Sequence, residues 1–225
     1  MLFSKTVQEI DYQTYGSIQH IKNMRQIMRG VPYPFGHQHR EWEYGITLEA
    51  LRQNDARTVL EVGGGGSLFA VAASWIDMQV LQLDPGSMDH FVVPQSRWLK
   101  RPLPTVVIDF FEYPLEESTL FDAVTCISVI EHVGTTDDAL RFFNKLCRHV
   151  KPGGLLSITT DFHPSGKGMF GGHHRTYNTE MINDLIKEGK QLGMKVFGAK
   201  PDYSHFEPNV YDLYTFASLS MRKAE

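Results

Sequence analysis

Cysteine is scarce in this chain: 225 residues contain only Cys126, inside an apolar run, and Cys147, in a segment with helical spacing. A disulfide framework or a thiolate zinc centre needs more, so neither is expected and a reducing compartment fits best. Long apolar runs are also missing. No stretch approaches the roughly 20 residues needed to span a bilayer, and Met1-Leu2-Phe3-Ser4-Lys5 leads into polar residues rather than a secretory core. The cytoplasm is the expected location, with no membrane partner. A surplus of basic charge is lacking as well: at a net charge of -4 the chain has no general attraction for phosphate backbones, which disfavours nucleic acid and favours a small-molecule partner. Internal repeats and low-complexity segments are absent, and nothing in the composition speaks to oligomeric state. What is present, 42% hydrophobic and 21% charged residues, suits a globular chain long enough to bury a substantial core.

The first 54 residues differ in character from the rest. Ile18, Ile21, Met24 and either Ile27 or Met28 follow helical spacing, as do Trp42, Ile46, Leu48 and Leu51, with a loop over Val31-Pro32-Tyr33-Pro34-Phe35-Gly36 between them. Residues 1–54 are therefore read as an accessory helical segment and 55–225 as the main domain. From Thr58 onward, short apolar runs alternate with helical patterns: Thr58 to Val62, Val80 to Leu83, Thr105 to Ile108, Ala123 to Ile127 and Leu155 to Thr159. Five strands with crossover segments predict an α/β fold, a parallel sheet with helices on both faces, and nearly unbroken runs such as Val106-Val107-Ile108 predict strands buried on both sides. Strand order does not follow from this.

Ligands of such sheets sit beyond the carboxyl ends of the strands. Four of the five ends are acidic, at Glu61, Asp84, Asp109 and Asp161, and the fourth strand runs into Ser128 and then Glu131-His132. One such acid is readily explained as a cap or a solvated loop residue, but the series is not. After Glu61 come four glycines, Gly63 to Gly66, and then Ser67, a candidate helix N-cap. A dinucleotide loop needs a glycine where Leu68 or Phe69 stands, so that pattern is incomplete. Carboxylates beside the loop repel a pyrophosphate and attract an ammonium or a sulfonium, and S-adenosyl-L-methionine has both cations.

These residues resemble the class I S-adenosylmethionine-dependent methyltransferases over roughly residues 55 to 220. Leu60-Glu61-Val62-Gly63-Gly64-Gly65-Gly66 is similar to the family's first motif, Val80 to Asp84 to its second, and Val107-Ile108-Asp109-Phe110 to its third. Phe121 to Val133, with Glu131-His132, resembles the fourth, and His149 to Leu155 the helix-turn before the fifth strand. The resemblance implies a Rossmann-like sheet of seven mainly parallel strands with an antiparallel last strand, the final two over Met194 to Gly198 and Tyr211 to Leu219, joined by Asp202 to Asn209. It also implies cofactor contacts. Glu61, Gly63 and Gly65 would lie against the methionine portion, Asp84 on the ribose hydroxyls, Asp109 and the Phe110 N–H on adenine, and a carbonyl of Ile127 or Ser128 on the ammonium. Pro85 or Met88 would pack on the adenine.

The implied activity is methyl transfer to a small molecule, with a hydroxyl oxygen as acceptor and residues 1–54 covering the acceptor side. Thr159 to Pro164 is reminiscent of methyltransferases acting in polysaccharide or secondary-metabolite pathways, which makes a sugar-derived acceptor an expectation to test. His132 is a candidate base, and His163 and His173 are others in the long polar segment Thr160 to Tyr177, read as a lid or acceptor wall, where Arg175 is a candidate for binding an anionic acceptor. Some quinone-related relatives place an acid and the Glu-His pair around a metal ion. Ser128 stands in place of that acid, and no metal is expected. The alternatives are a catalytically silent S-adenosylmethionine-binding partner subunit and an NAD-binding Rossmann protein. Thr179 to Leu192 predicts an amphipathic helix capped by Asn178 and stopped by Gly193, and Ser67 is expected to cap the helix after the glycines.

Overall fold

A computed structural model describes residues 1–9, 11–33, 38–116, 119–166, 174–207 and 214–225. In chain order the elements are β1 (Lys5–Thr6), α1 (Asp11–Thr14), α2 (Gly16–Ile27), α3 (Gln38–Gln53), β2 (Thr58–Val62), α4 (Leu68–Trp75), β3 (Gln79–Asp84), α5 (Asp89–Leu99), β4 (Thr105–Val107) and β5 (Phe121–Ile127). There follow a 3-10 turn at Ile130–His132, α6 (Thr136–Arg148), β6 (Val150–Phe162), α7 (Thr179–Gln191), β7 (Met194–Val196) and β8 (Thr215–Lys223).

Among the described residues one sheet contains all eight strands, in the order β1-β8-β6-β5-β2-β3-β4, with β7 also paired to β8. Strands β2 to β6 are parallel, and β8 enters antiparallel between β6 and the short strands β1 and β7. The five expected parallel strands and the antiparallel last strand are all present. The eighth strand is β1, whose two residues pair with Ser218 and Ala217; so short a strand has no alternation to read. Strand β8 runs through Lys223 rather than ending at Leu219, and Tyr211 to Leu213 of its expected start lie outside the described residues. Where a helix-turn was expected at His149 to Leu155, β6 already begins at Val150, which pairs with Phe121.

The sheet's alternation sorts side chains into two cores. Val59, Ala123 and Leu155 face one side, packed by α2, α3, α4 and α5, while Leu60, Val124 and Leu156 face the other, packed by α6 and α7. The exception is β4, where Val106 and Val107 are 37% and 56% exposed. The expectation of burial on both faces fails here because β4 is the sheet's edge, and an apolar run alone does not distinguish edge from centre. Helix α3 is buried from Trp42 to Leu48, and a Cβ on its Gly45 would lie 2.6 Å from the Cα of Ile18, so only glycine lets α2 approach this closely. Of the alternatives Ile27 and Met28, the buried one is Met28.

Local capping follows the sequence. Ser67 caps α4, accepting from the Ala70 N–H at 3.2 Å, and Asn178 caps α7, accepting from the Met181 N–H at 2.9 Å. Gly193 follows α7 with φ at +77°. Asn178→Ala is expected to cost about 1 kcal/mol of stability, read as a lower midpoint in chemical denaturation with an unchanged slope.

Candidate functional site

Two adjoining cavities open at the carboxyl edge of the parallel strands and share Gly63. The first, of about 530 Å³, is lined by Glu61, Gly63 to Gly65, Ser67, Asp84, Ile127 and Ser128 from the sheet edge, by Met88, His90 and Phe91 at the start of α5, and by Arg40 and Tyr44 of α3. The second, of about 310 Å³, is lined by Pro85, Asp109, Phe110, Val129 and His132 among others. A larger hollow of about 900 Å³ lies at the opposite edge, before β2 and β3. It is a surface depression bordered by the exposed Arg52, Asp55 and Arg57, away from the strand-end acids.

Glycine shapes the first cavity. A Cβ at Gly63, where φ is +74°, would lie 2.4 Å from Val129, and one at Gly64 would lie 2.6 Å from the Glu61 carboxyl carbon. Any side chain here would fill the floor of the cavity or displace Glu61. Glu61 is buried, with Oε1 accepting from the Ser67 hydroxyl at 2.5 Å and Oε2 without a hydrogen-bond partner among the described residues. Burial, opposed by the Ser67 bond and reinforced by nearby Asp84, pushes its carboxyl up to about 7. Asp84, 8% exposed, accepts from the Gly86 N–H at 2.9 Å. Asp109 is exposed beside the second cavity and accepts from the Phe111 N–H at 2.8 Å.

At the end of β5, Ser128 adopts φ of +49°, a left-handed conformation that costs a non-glycine residue roughly 1 kcal/mol or more. Its N–H donates to the Thr159 carbonyl at 3.1 Å, and its hydroxyl donates to Glu43 at 2.5 Å. Glu43, fully buried on α3, also accepts from Thr159 at 2.7 Å and pairs with Arg40 at 3.0 Å. Next to this group lie Glu131 and Asp161. Burial, and then the neighbouring Asp161 charge, raises the Glu131 carboxyl well above the usual range; burial also raises Asp161, against a hydrogen bond from His174 that lowers it.

The residues singled out in the sequence thus divide. Glu61, Gly63, Gly65, Asp84, Ile127 and Ser128 meet at the first cavity, and Pro85, Asp109, Phe110 and His132 at the second. Pro85 and Met88, offered as alternatives for one role, line different cavities. His163 lines neither; its ring bonds Ser165 within its own turn and packs on Phe206. His173 lies outside the described residues, as do residues 34–37 of the N-terminal loop. Arg175 is buried, and its guanidinium donates to the carbonyls of Val133 and Gly134. These bonds brace the turn after Glu131, while Nη1 has no hydrogen-bond partner among the described residues. Arg40, Glu43 and Tyr44 were not anticipated. Their signal was a polar group at i, i+3 and i+4, a spacing that places all three on one face of the helix. Among the described residues no three His, Cys, Asp or Glu side chains are placed to hold a metal ion, and no helix is long and apolar enough to cross a membrane.

Solved structures share this architecture. An S-adenosylmethionine-dependent methyltransferase from Clostridium acetobutylicum superposes with a TM-score of 0.61 at 12% identity, covering 94% of this chain and all of its own. The 1,6-didemethyltoxoflavin-N1-methyltransferase of Burkholderia thailandensis, solved with bound 1,6-didemethyltoxoflavin and S-adenosylhomocysteine, gives a TM-score of 0.65 at 13% identity, covering 95% of this chain and 90% of its own. Such identities establish the fold alone. In sequence, the ubiquinone biosynthesis O-methyltransferase of Rickettsia akari is 31% identical over 118 residues, 51% of this chain and 44% of that protein. The namesake from Proteus mirabilis is 31% identical over 106 residues, 46% of this chain and 42% of its own. The match therefore spans less than half the length of these relatives. A model of the methyltransferase domain, by contrast, matches residues 35–209, from the helix bearing Arg40 to the approach to the last strand. By that extent, the chain belongs to the class I S-adenosylmethionine-dependent methyltransferases, a family whose cofactor is S-adenosyl-L-methionine.

Proposed function

We propose that the paired cavities bind S-adenosylmethionine and that the chain transfers its methyl group to a hydroxyl oxygen of a small molecule. The observation that carries this reading is Glu61, a buried carboxylate with one oxygen unpartnered at the floor of a cavity that glycines keep open. A buried acid in that state is costly unless a cation arrives, which fits the cofactor's ammonium. Asp84 then holds the ribose hydroxyls, Asp109 and the Phe110 N–H the adenine, and the end of β5 at Ile127 and Ser128 the amino-acid moiety. When bound, the sulfonium supplies a methyl group already activated for displacement. Helix α3, through Arg40, Glu43 and Tyr44, supports the reading of residues 1–54 as the acceptor side. Oxygen as the acceptor atom is supported by the O-methyltransferase names of the sequence relatives. Those names favour an acceptor of the ubiquinone-pathway kind over a sugar-derived or secondary-metabolite one. Product formation by the full chain with a panel of hydroxyl acceptors, read by mass spectrometry, tests the reaction; cofactor binding without any methylated product favours the silent-subunit alternative.

Glu61 makes binding pH-dependent. In the unliganded protein its carboxyl keeps a proton up to about 7, and an ammonium beside it favours the ionised form. Binding at pH 6 is expected to release a proton, with affinity rising as pH increases from 5 to 7, by at most about tenfold per unit. Stability of the unliganded protein runs the other way: the unfolded chain loses this proton near 4.5 and the folded one near 7, so this group's contribution falls as pH rises between them. Calorimetry at pH 6 in two buffers of different ionisation enthalpy measures the proton, and Glu61→Gln abolishes its release.

A further inference from the structure

We propose that Glu43 is a positioning residue for the cofactor: through the Ser128 hydroxyl it holds the left-handed turn at the end of β5, and so presents Ile127 and Ser128 to the amino-acid moiety. The assignment rests on the methyltransferase reading above and adds to it a part for α3 in cofactor binding, besides the acceptor side given to residues 1–54.

The turn divides the site. Strand β5 ends at Ile127, and a chain that stayed extended at Ser128 would run on along the sheet. With φ at +49° it turns off instead, which leaves Ile127 and Ser128 in the first cavity and carries Val129 into the second. Val129 then lies against Gly63, where an added Cβ would come within 2.4 Å of it, so the glycine floor is built around this turn. Serine disfavours the conformation, and a strained residue persists only where the surrounding structure over-determines it.

Three buried side chains do so. The Ser128 N–H donates to the Thr159 carbonyl at 3.1 Å and to the Thr159 hydroxyl oxygen at 3.2 Å, while the Ser128 hydroxyl donates to Glu43 Oε1 at 2.5 Å. The Thr159 hydroxyl donates to the same Oε1 at 2.7 Å, which closes a ring of Ser128, Thr159 and Glu43. The other carboxylate oxygen, Oε2, pairs with Arg40 at 3.0 Å, one turn earlier on α3. Both oxygens are thus engaged within the protein, and Glu43 lines neither cavity. It acts through Ser128 rather than on the cofactor. A buried ion pair adds little net stability over apolar side chains of the same volume, yet losing one partner is costly, so the pair with Arg40 serves to fix one arrangement of the carboxylate.

Calorimetry on the full chain with S-adenosylhomocysteine and, separately, with 5′-methylthioadenosine, which has the adenosine but no amino-acid moiety, distinguishes positioning from general packing. Ser128→Ala leaves Glu43 its bonds to Thr159 and Arg40, and Glu43→Gln has one oxygen where two are needed. Each is expected to weaken S-adenosylhomocysteine binding about 10-fold or more and methylthioadenosine binding less than about threefold. The double variant loses no more than the weaker-binding single variant, because both changes open the same bond. Ser128→Gly loses less than Ser128→Ala, since glycine adopts the turn without the tether. Equal weakening of the two ligands, additive losses in the double variant, or S-adenosylhomocysteine affinity close to wild type in Ser128→Ala overturns the assignment. Equal losses in the glycine and alanine variants put the hydroxyl itself on the ligand and overturn it as well. Failure of the wild type to bind S-adenosylhomocysteine instead brings down the methyltransferase reading, and the assignment with it.

Discussion

Asp84→Ala is expected to weaken binding of S-adenosylmethionine and of its demethylated product by about 100-fold to 10,000-fold. The carboxylate closes β3 at the wall of the first cavity, 8% exposed, and one of its oxygens accepts from the Gly86 N–H. Both oxygens therefore have capacity for a ribose diol, and each hydrogen bond to a charged group contributes about 1.5 to 3 kcal/mol. Removing two gives the stated range. The fold should tolerate the change, because Asp84 contributes no packing to either core and its charge raises the carboxyl of Glu61. Loss of that neighbour relieves Glu61 slightly. Calorimetry measures the affinity and a thermal melt the stability; a weakening of less than about threefold would remove Asp84 from the ribose contact.

Trp42→Ala carries the largest expected loss of stability, about 3 to 5 kcal/mol. The indole is fully buried in α3, and its Nε1 donates at 2.9 Å to Asp11, which also pairs with the buried Lys5 at 2.6 Å. Truncation leaves a cavity and takes a donor from a buried carboxylate. The consequence reaches the site, since the same helix holds Arg40, Glu43 and Tyr44 against the strand ends. Chemical denaturation should show the lower midpoint, and cofactor affinity at a temperature where the variant remains folded should fall as well. Trp42→Phe keeps most of the volume and loses the donor, so it separates the packing loss from the hydrogen bond.

The strand-end half of the candidate site was legible because its logic is local. A strand end, a run of glycines and an acid occupy consecutive positions, and parallel pairing brings every such edge to one side. Glu61, Asp84, Asp109 and Ser128 could thus be named without knowing the strand order. The half built on α3 depends on long-range contacts. Glu43 meets Ser128 and Thr159 across 85 and 116 residues, and neither spacing nor composition encodes that. Burial of Arg175 was not legible either, because arginine on a polar loop usually faces solvent, whereas here its Nη2 donates to two backbone carbonyls. Strand β4 misled through its apolar run, since edge position is a property of the whole sheet.

The central claim, that a buried acid and an open glycine floor await a sulfonium cofactor, is tested most directly by calorimetric titration of the full chain at pH 6 with S-adenosylmethionine and, separately, with NAD. The account predicts one molecule of S-adenosylmethionine per chain, bound with release of a proton that vanishes in Glu61→Gln, and no comparable binding of NAD. Tight NAD binding, or no heat with S-adenosylmethionine, would contradict it.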